Sequence, residues 1–273
     1  MIDVGISTAC LFPGNTEAVL EDMAERIFDN FEIFVNSDCE LSDSFSEKIS
    51  GILIQNHKKA ISVHPFTSEL EPSYFFSDYS RRFDDGCMYY QKYFKFAGKI
   101  GAKYVIIHGD QKNSRISVEE FGKRLMCLNL KAQAYHVEIL LENVERCFSR
   151  DAEVITRLRN LYPELGYTLD VKQALKSSMD LYQMLEAMGN SLKHVHFSDH
   201  NSDNTCLPIG RGDMDIEEFA TYLYTHHYCG VVLLELYGDD GEPIKVLADS
   251  YHKLKNIFNK YNRKPANKKS SVF

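Results

Sequence analysis

The sequence predicts a single-domain (β/α)8 barrel of the α/β class. Three observations carry that expectation. Short β-rich runs alternate with longer runs of helical period, the short runs number eight, and no compositional break divides a chain of 273 residues, the size one such barrel fills.

The strand runs are Ile2–Ser7, Phe31–Asn36, Ala60–His64, Tyr104–His108, Glu138–Glu142, Gly166–Val171, Lys193–Ser198 and Val231–Leu236. Each is short and dense in Val, Ile, Leu, Phe or Tyr, as strands buried on both faces of a parallel sheet are. Helical stripes lie between them. Phe83, Cys87, Tyr90 and Phe94 make one stripe. Ser117 and Glu120 have capping-box spacing and precede Phe121, Leu125, Leu128 and Ala132 on one face. Leu181, Met184, Leu185 and Met188 end at Gly189, a C-cap residue. Asp215 with Glu218 opens a helix carrying Ile216, Phe219, Ala220 and Leu223. All these stripes read as helix packing rather than cofactor contacts.

The segment Phe66–Asp85 is a polar and aromatic insert after the third strand, expected to overhang the barrel mouth and help bury a substrate. Alternation alone also fits an open doubly wound sheet. Against that, the first strand is followed by Ser7-Thr8-Ala9-Cys10 and not by a glycine-rich GxGxxG turn. Residues 1–258 therefore read as one barrel. Residues 259–273, with Lys260, Arg263, Lys264, Lys268 and Lys269, read as a basic, flexible, solvated tail rather than a nucleic-acid arm.

Composition narrows the function classes. With 44% hydrophobic and 26% charged residues the chain reads as a soluble globular protein. No apolar run reaches the roughly 20 residues of a membrane span. The strand-like start lacks the basic and apolar regions of a signal peptide. Seven cysteines without a CxxC pair fit reduced thiols, hence a cytoplasmic location. A net charge of −8 disfavours a phosphate backbone as partner, so no nucleic acid is expected.

The chemistry-bearing residues share one position, the C-terminal end of an apolar strand. His64 ends Ile-Ser-Val-His, His108 ends Tyr-Val-Ile-Ile-His, Glu142 ends Ile-Leu-Leu-Glu, Asp170 ends Tyr-Thr-Leu-Asp, and Glu235 ends Val-Val-Leu-Leu-Glu. His194 and His196 share one face of their strand, with Val195 and Phe197 on the other. In a barrel these ends converge on one cup. Several carboxylates and histidines there would repel one another or stay unpaired without a cation. Glu142, Asp170, His196 and Glu235 are therefore the expected ligands of one divalent ion, and their oxygen and imidazole donors suit Mn, Mg, Co or Zn. His194, one strand step deeper, is expected to support them from behind. His64, His108, Lys172 and Arg211 are candidate substrate contacts.

These strand ends resemble the xylose isomerase-like TIM-barrel superfamily, which includes ketose epimerases, hydroxypyruvate isomerase, inosose dehydratase and endonuclease IV. The resemblance spans nearly the whole chain. It rests most on Leu141-Glu142-Asn143, Leu169-Asp170, His194-Val195-His196 with Ser198-Asp199, and Leu234-Glu235. It implies one metal on Glu142, Asp170, His196 and Glu235, with Glu142 and Glu235 also the acid–base pair. Endonuclease IV is similar in having histidines where His64 and His108 stand. Its further zinc ligands would fall where this chain has Gln173 and Asn204-Thr205-Cys206, before Ile209-Gly210-Arg211-Gly212. Gln173 and Ser202 also replace a histidine and an arginine common in ketose epimerases.

The expected function is a divalent-metal-dependent isomerase or epimerase of a small sugar, sugar phosphate or keto-polyol, working by proton transfer through a metal-stabilised enediolate. The alternatives are an inosose-dehydratase-type lyase, an endonuclease IV-like phosphodiesterase acting on DNA, and a non-catalytic sugar-binding barrel. The partner is a small carbohydrate, with no membrane, and assembly into a homo-oligomer is left open.

Overall fold

The computed structural model describes residues 1–237 and 242–262. Eight parallel strands close a barrel in sequence order: β1 (Asp3–Ser7), β2 (Asn30–Val35), β3 (Lys59–Pro65), β4 (Tyr104–Ile107), β5 (Glu138–Glu142), β6 (Gly166–Asp170), β7 (Leu192–Phe197) and β8 (Val231–Leu234). The seam pairs β1 with β8, from Asp3 opposite Val231 to Ile6 opposite Leu234. Around the strands run α1 (Thr16–Ala24), α2 (Asp43–Gln55), α3 (Glu71–Phe75), α4 (Ser80–Lys99), α5 (Val118–Gln133), α6 (Ala152–Leu161), α7 (Val171–Lys176), α8 (Leu181–Met188), α9 (Ile216–Thr225) and α10 (Pro243–Asn262). Among the described residues no helix is long and apolar enough to cross a membrane.

Strand alternation sorts the core into two parts. Val105, Ile107, Ile139, Leu141, Tyr167, Leu169, Val195, Phe197, Val232 and Leu234 join the main core between barrel and helices. Ile106, Leu140 and Leu233, one step out of phase, are fully buried but stand apart from that core, inside the barrel. The inward positions nearer the C-terminal ends are polar, and they build the site.

The expected helices form, two of them with the expected caps. The Asp215 side chain accepts from Glu218 N–H, and Gly189 ends α8 at φ 51°. The capping box at Ser117 is only half made. Ser117 Oγ accepts from Glu120 N–H at 3.2 Å, whereas the Glu120 carboxylate turns to Arg124, one helical turn on, at 2.9 Å. A charged partner holds it more strongly than the backbone donor would.

Strand ends shift by one or two residues from those read off the sequence, and three differences carry a physical reason. Val171 belongs to α7 rather than to the sixth strand, because the Asp170 carboxylate accepts from Gln173 N–H at 2.9 Å and caps a helix there. The insert is itself helical. Phe66–Leu70 is a 3-10 turn, α3 follows, and residues from Ser80 on already belong to α4. Phe75, Phe76 and Tyr90 pull it down into the core, and Glu71 fastens it to the end of β4. Finally, α10 runs to Asn262 with Tyr261 buried, past residue 258. Its Asn262 side chain bonds both the N–H and the carbonyl of Ile2, and Tyr251 donates to the Val4 carbonyl, which holds the helix over the seam. The remaining expected tail, 263–273, lies outside the described residues.

Candidate functional site

The ends of β5 to β8 bring Glu142, Asp170, His196 and Glu235 to one place. One ligand atom each from Glu142, Asp170 and His196 lie within 4.8 Å of one another. Glu235 joins from the side: its Oε2 is 3.1 Å from His196 Nδ1, which is also 3.8 Å from Glu142 Oε1. Exposure is 2% for Glu142 and Asp170, 1% for His196 and 5% for Glu235, so water does not screen them. Asn143 holds the Asp170 backbone from both sides, accepting from its N–H at 2.7 Å and donating to its carbonyl at 3.0 Å.

The candidate substrate contacts divide into two groups. His64 and His108 face Glu142 from the other side, with Nε2 atoms 3.6 and 3.2 Å from Glu142 Oε2 and 3.1 Å from each other. Lys172 reaches into the cup, its Nζ 3.5 Å from Asp170 Oδ2 and 4.0 Å from Glu235 Oε2. It lies 4.5 Å over the Tyr237 ring, and the Tyr237 hydroxyl donates to Glu235 Oε1. Arg211 stands further out, on a cavity of about 140 Å³ shared with Cys10, Cys206 and Tyr237. Its turn is fixed by the buried Asp199 carboxylate, which accepts from Gly210 and Gly212 N–H. Larger cavities, of about 470 and 530 Å³, lie among residues such as Lys193, Gly230 and Tyr104, near the starts of the strands and away from this chemistry.

The charges in the cup do not balance by themselves. Glu32, Glu142, Asp170 and Glu235 are all buried against one buried ammonium, Lys172. The histidines take up part of the difference. Burial raises Glu142 and Glu235, but His108 and its neighbours outweigh it for Glu142, and Lys172 and His196 bring Glu235 down to about 2. Burial wins at Asp170, which Glu142 and Glu235 help push up to about 7 despite Lys172. Burial disfavours a charged His196, yet Glu32 and Glu235 hold it well above its usual value. His196 Nδ1 and Glu235 Oε2, which face one another at 3.1 Å, and Glu142 Oε2, on the side of His64 and His108, are buried and make no hydrogen bond. Unpaired acceptors in a dry carboxylate-rich cup fit a divalent cation, which would meet their lone pairs and offset the excess negative charge.

A family model described as the xylose isomerase-like TIM barrel matches residues 20–257. The chain belongs to that family. An uncharacterized protein of Mycobacterium leprae (strain TN) is 24% identical over 263 residues, covering 86% of this chain and 89% of its own. The crystal structure of a D-tagatose 3-epimerase-like protein superposes with a TM-score of 0.77 at 21% identity, over 95% of this chain and 98% of that one. The IOLI protein, solved with a zinc atom, gives 0.73 at 18% identity, over 95% and 99%. Other matching structures include further sugar epimerases.

Within this xylose isomerase-like barrel, several site residues escape sequence reasoning. Glu32, in the middle of β2, accepts from Ser62 Oγ at 2.8 Å and lies 3.1 Å from His196 Nε2. Its signal was a lone carboxylate in the apolar run Phe31-Glu32-Ile33-Phe34-Val35. Glu71 is fully buried beneath the insert, where a glutamate in a loop-like stretch reads as solvated. Arg146 approaches His108 Nδ1 at 3.1 Å, and nothing in its sequence neighbourhood aims it there. Gln173 accepts from Glu145 N–H at 3.1 Å through Oε1, tying the β6 end to the loop after β5. His194 lies behind the cup as expected, 3.6 Å from Glu32 Oε2.

Proposed function

We propose that this chain is a divalent-metal-dependent isomerase or epimerase of a small sugar, sugar phosphate or keto-polyol. The observation that carries the reading is the gathering of the buried Glu142, Asp170, His196 and Glu235 side chains at the ends of β5 to β8, with His196 Nδ1 and Glu235 Oε2 making no hydrogen bond. Sugar epimerases and a zinc-containing protein among the structural relatives support it.

In this reading Glu142, Asp170, His196 and Glu235 hold the ion, which when bound supplies a Lewis acid for a carbonyl oxygen. The two glutamates flank the substrate and exchange its carbon-bound proton. Glu235 takes it: Lys172, His196 and the Tyr237 hydroxyl all favour its ionised form. Glu142 serves the other face or the neighbouring carbon, with His108 and His64 in reach of its Oε2 to pass a proton on. Lys172 and Arg211 bind substrate oxygens or a phosphate.

The test is metal content of wild type and Glu235→Ala, followed by exchange of ketose carbon-bound protons in deuterated water. About one metal ion per chain, lost in Glu235→Ala, together with exchange, is the expected outcome. Glu142→Gln and Glu235→Gln should each lower the exchange rate about 10²–10⁴-fold. Full exchange in both variants would sink the two-glutamate scheme.

A second reading has one observation in its favour. His64, His108 and Glu142 also bring a ligand atom each within 4.8 Å, beside the first set and sharing Glu142. Two or more ions per chain, with cleavage of an abasic-site duplex, would favour a phosphodiesterase over the isomerase.

A further inference from the structure

Beneath the cup the barrel is crossed by a polar layer instead of an apolar one. Its centre is Glu32 on β2, fully buried. Ser7 Oγ from β1 donates to Glu32 Oε1 at 3.3 Å, and Ser62 Oγ from β3 donates to Oε2 at 2.8 Å. From β7, across the barrel, His196 Nε2 comes within 3.1 Å of Oε2 and His194 Nε2 within 3.6 Å. Ser7, Ser62 and His194 are 0% exposed and His196 is 1% exposed, so no water competes for these positions. A buried carboxylate is costly unless its partners are well placed, and four strands converge here to place them.

The two ring nitrogens of His196 therefore meet different surroundings. Nε2 faces a carboxylate, which accepts hydrogen bonds and donates none, so this nitrogen carries hydrogen. Nδ1 faces Glu235 Oε2 and Glu142 Oε1 and makes no hydrogen bond. With Nε2–H committed downward, a neutral His196 presents the Nδ1 lone pair to the cup. Without Glu32, Nδ1–H donating to Glu235 would be the better arrangement, and the lone pair would point at the barrel floor.

We infer that Glu32 is a positioning residue that fixes the ring orientation and tautomer of His196, so that Nδ1 is available to a divalent cation, while Ser7 and Ser62 hold Glu32 in register. This rests on the metal reading of the preceding section. It assigns a task to a strand-centre carboxylate that lies one layer below the expected ligand set. Glu32 is to His196 what a carboxylate behind a zinc-bound histidine is in other metal sites, and loss of such partners weakens metal binding about 10–100-fold.

The experiment measures zinc and cobalt affinity of the full chain by competition with a chromophoric chelator, and records the visible spectrum of the cobalt form. Glu32→Gln keeps the shape of the side chain and removes the charge. The expected result is about 10–100-fold weaker binding of both metals and an altered cobalt spectrum. Thr168→Val removes another hydroxyl buried inside the barrel, one with no hydrogen-bond partner. It should leave affinity and spectrum unchanged, which separates positioning of His196 from general disturbance of the interior. Wild-type affinity and spectrum in Glu32→Gln would overturn the inference while leaving the metal site intact. If Glu32→Gln does not fold, Ser62→Ala removes the hydroxyl bonded to Glu32 at 2.8 Å (and 3.4 Å from His194 Nε2) and should weaken binding severalfold; unchanged affinity there would overturn the inference equally. Failure of the wild type to bind either metal would overturn the metal reading itself, and this inference with it.

Discussion

Glu71 accepts hydrogen bonds from the Tyr90 hydroxyl and from the N–H groups of His108 and Gly109, yet burial pushes its carboxyl up from 4.5 to about 8. The folded chain therefore keeps a proton that the unfolded chain releases near its ordinary value. Stability from this group is fully present below about pH 4.3 and is lost as pH rises toward 8, with a slope of at most about 1.4 kcal/mol per pH unit. Urea midpoints should fall more steeply between pH 5 and pH 8 in the wild type than in Glu71→Gln. Parallel pH profiles would show that Glu71 titrates as it does in the unfolded chain. At this scale the sequence was legible where a polar residue ended an apolar strand, as at Glu142, Asp170, His196 and Glu235. It was not legible at Glu71 or Glu32, because a charge is normally solvated and only the fold reveals that it is enclosed.

The elements were legible because each carried its own period and its own stop. Gly122 in α5 had no such signal. A Cβ there would stand 2.1 and 2.4 Å from the Tyr162 ring just beyond α6, and the Tyr162 hydroxyl donates to the Glu119 carbonyl of α5 at 2.7 Å. Gly122→Ala removes a flexible residue from a helix, which alone would stabilise it. The clash reverses the sign, and a net loss of about 1–3 kcal/mol is expected in urea unfolding. A variant as stable as the wild type would mean that Tyr162 swings away without cost. The insert teaches the same point from the other side. Its place and polarity suggested an overhang of the barrel mouth, and Phe75, Phe76 and Tyr90 pack on one another and give that segment a core of its own.

For the whole molecule, barrel closure is what turns eight separate strand ends into one cup, and the cup carries more carboxylates than its own cations balance. A ligand that binds only the folded chain stabilises it by mass action, about 2.7 kcal/mol at a hundredfold excess over its dissociation constant. Zinc or manganese should therefore raise the thermal midpoint of chelator-stripped protein, and Asp170→Ala should remove most of the shift. An equal shift in Asp170→Ala would place the stabilising ion somewhere other than this cup.

The sequence by itself determined the fold class, the order of strands and helices, and the four residues at the ends of β5 to β8. Those features are written locally, in hydrophobic period, cap residues and the place where an apolar run stops. Tertiary structure alone decided which atoms face which. It laid Glu32 under His196, set Lys172 and Tyr237 over Glu235, and brought Arg146 to His108. Apart from Tyr237 and Glu235, two positions apart, these contacts join residues 38 to 164 positions apart, so no local pattern encodes them. They exist because closing a twisted parallel sheet sends inward side chains from opposite strands into the same small volume.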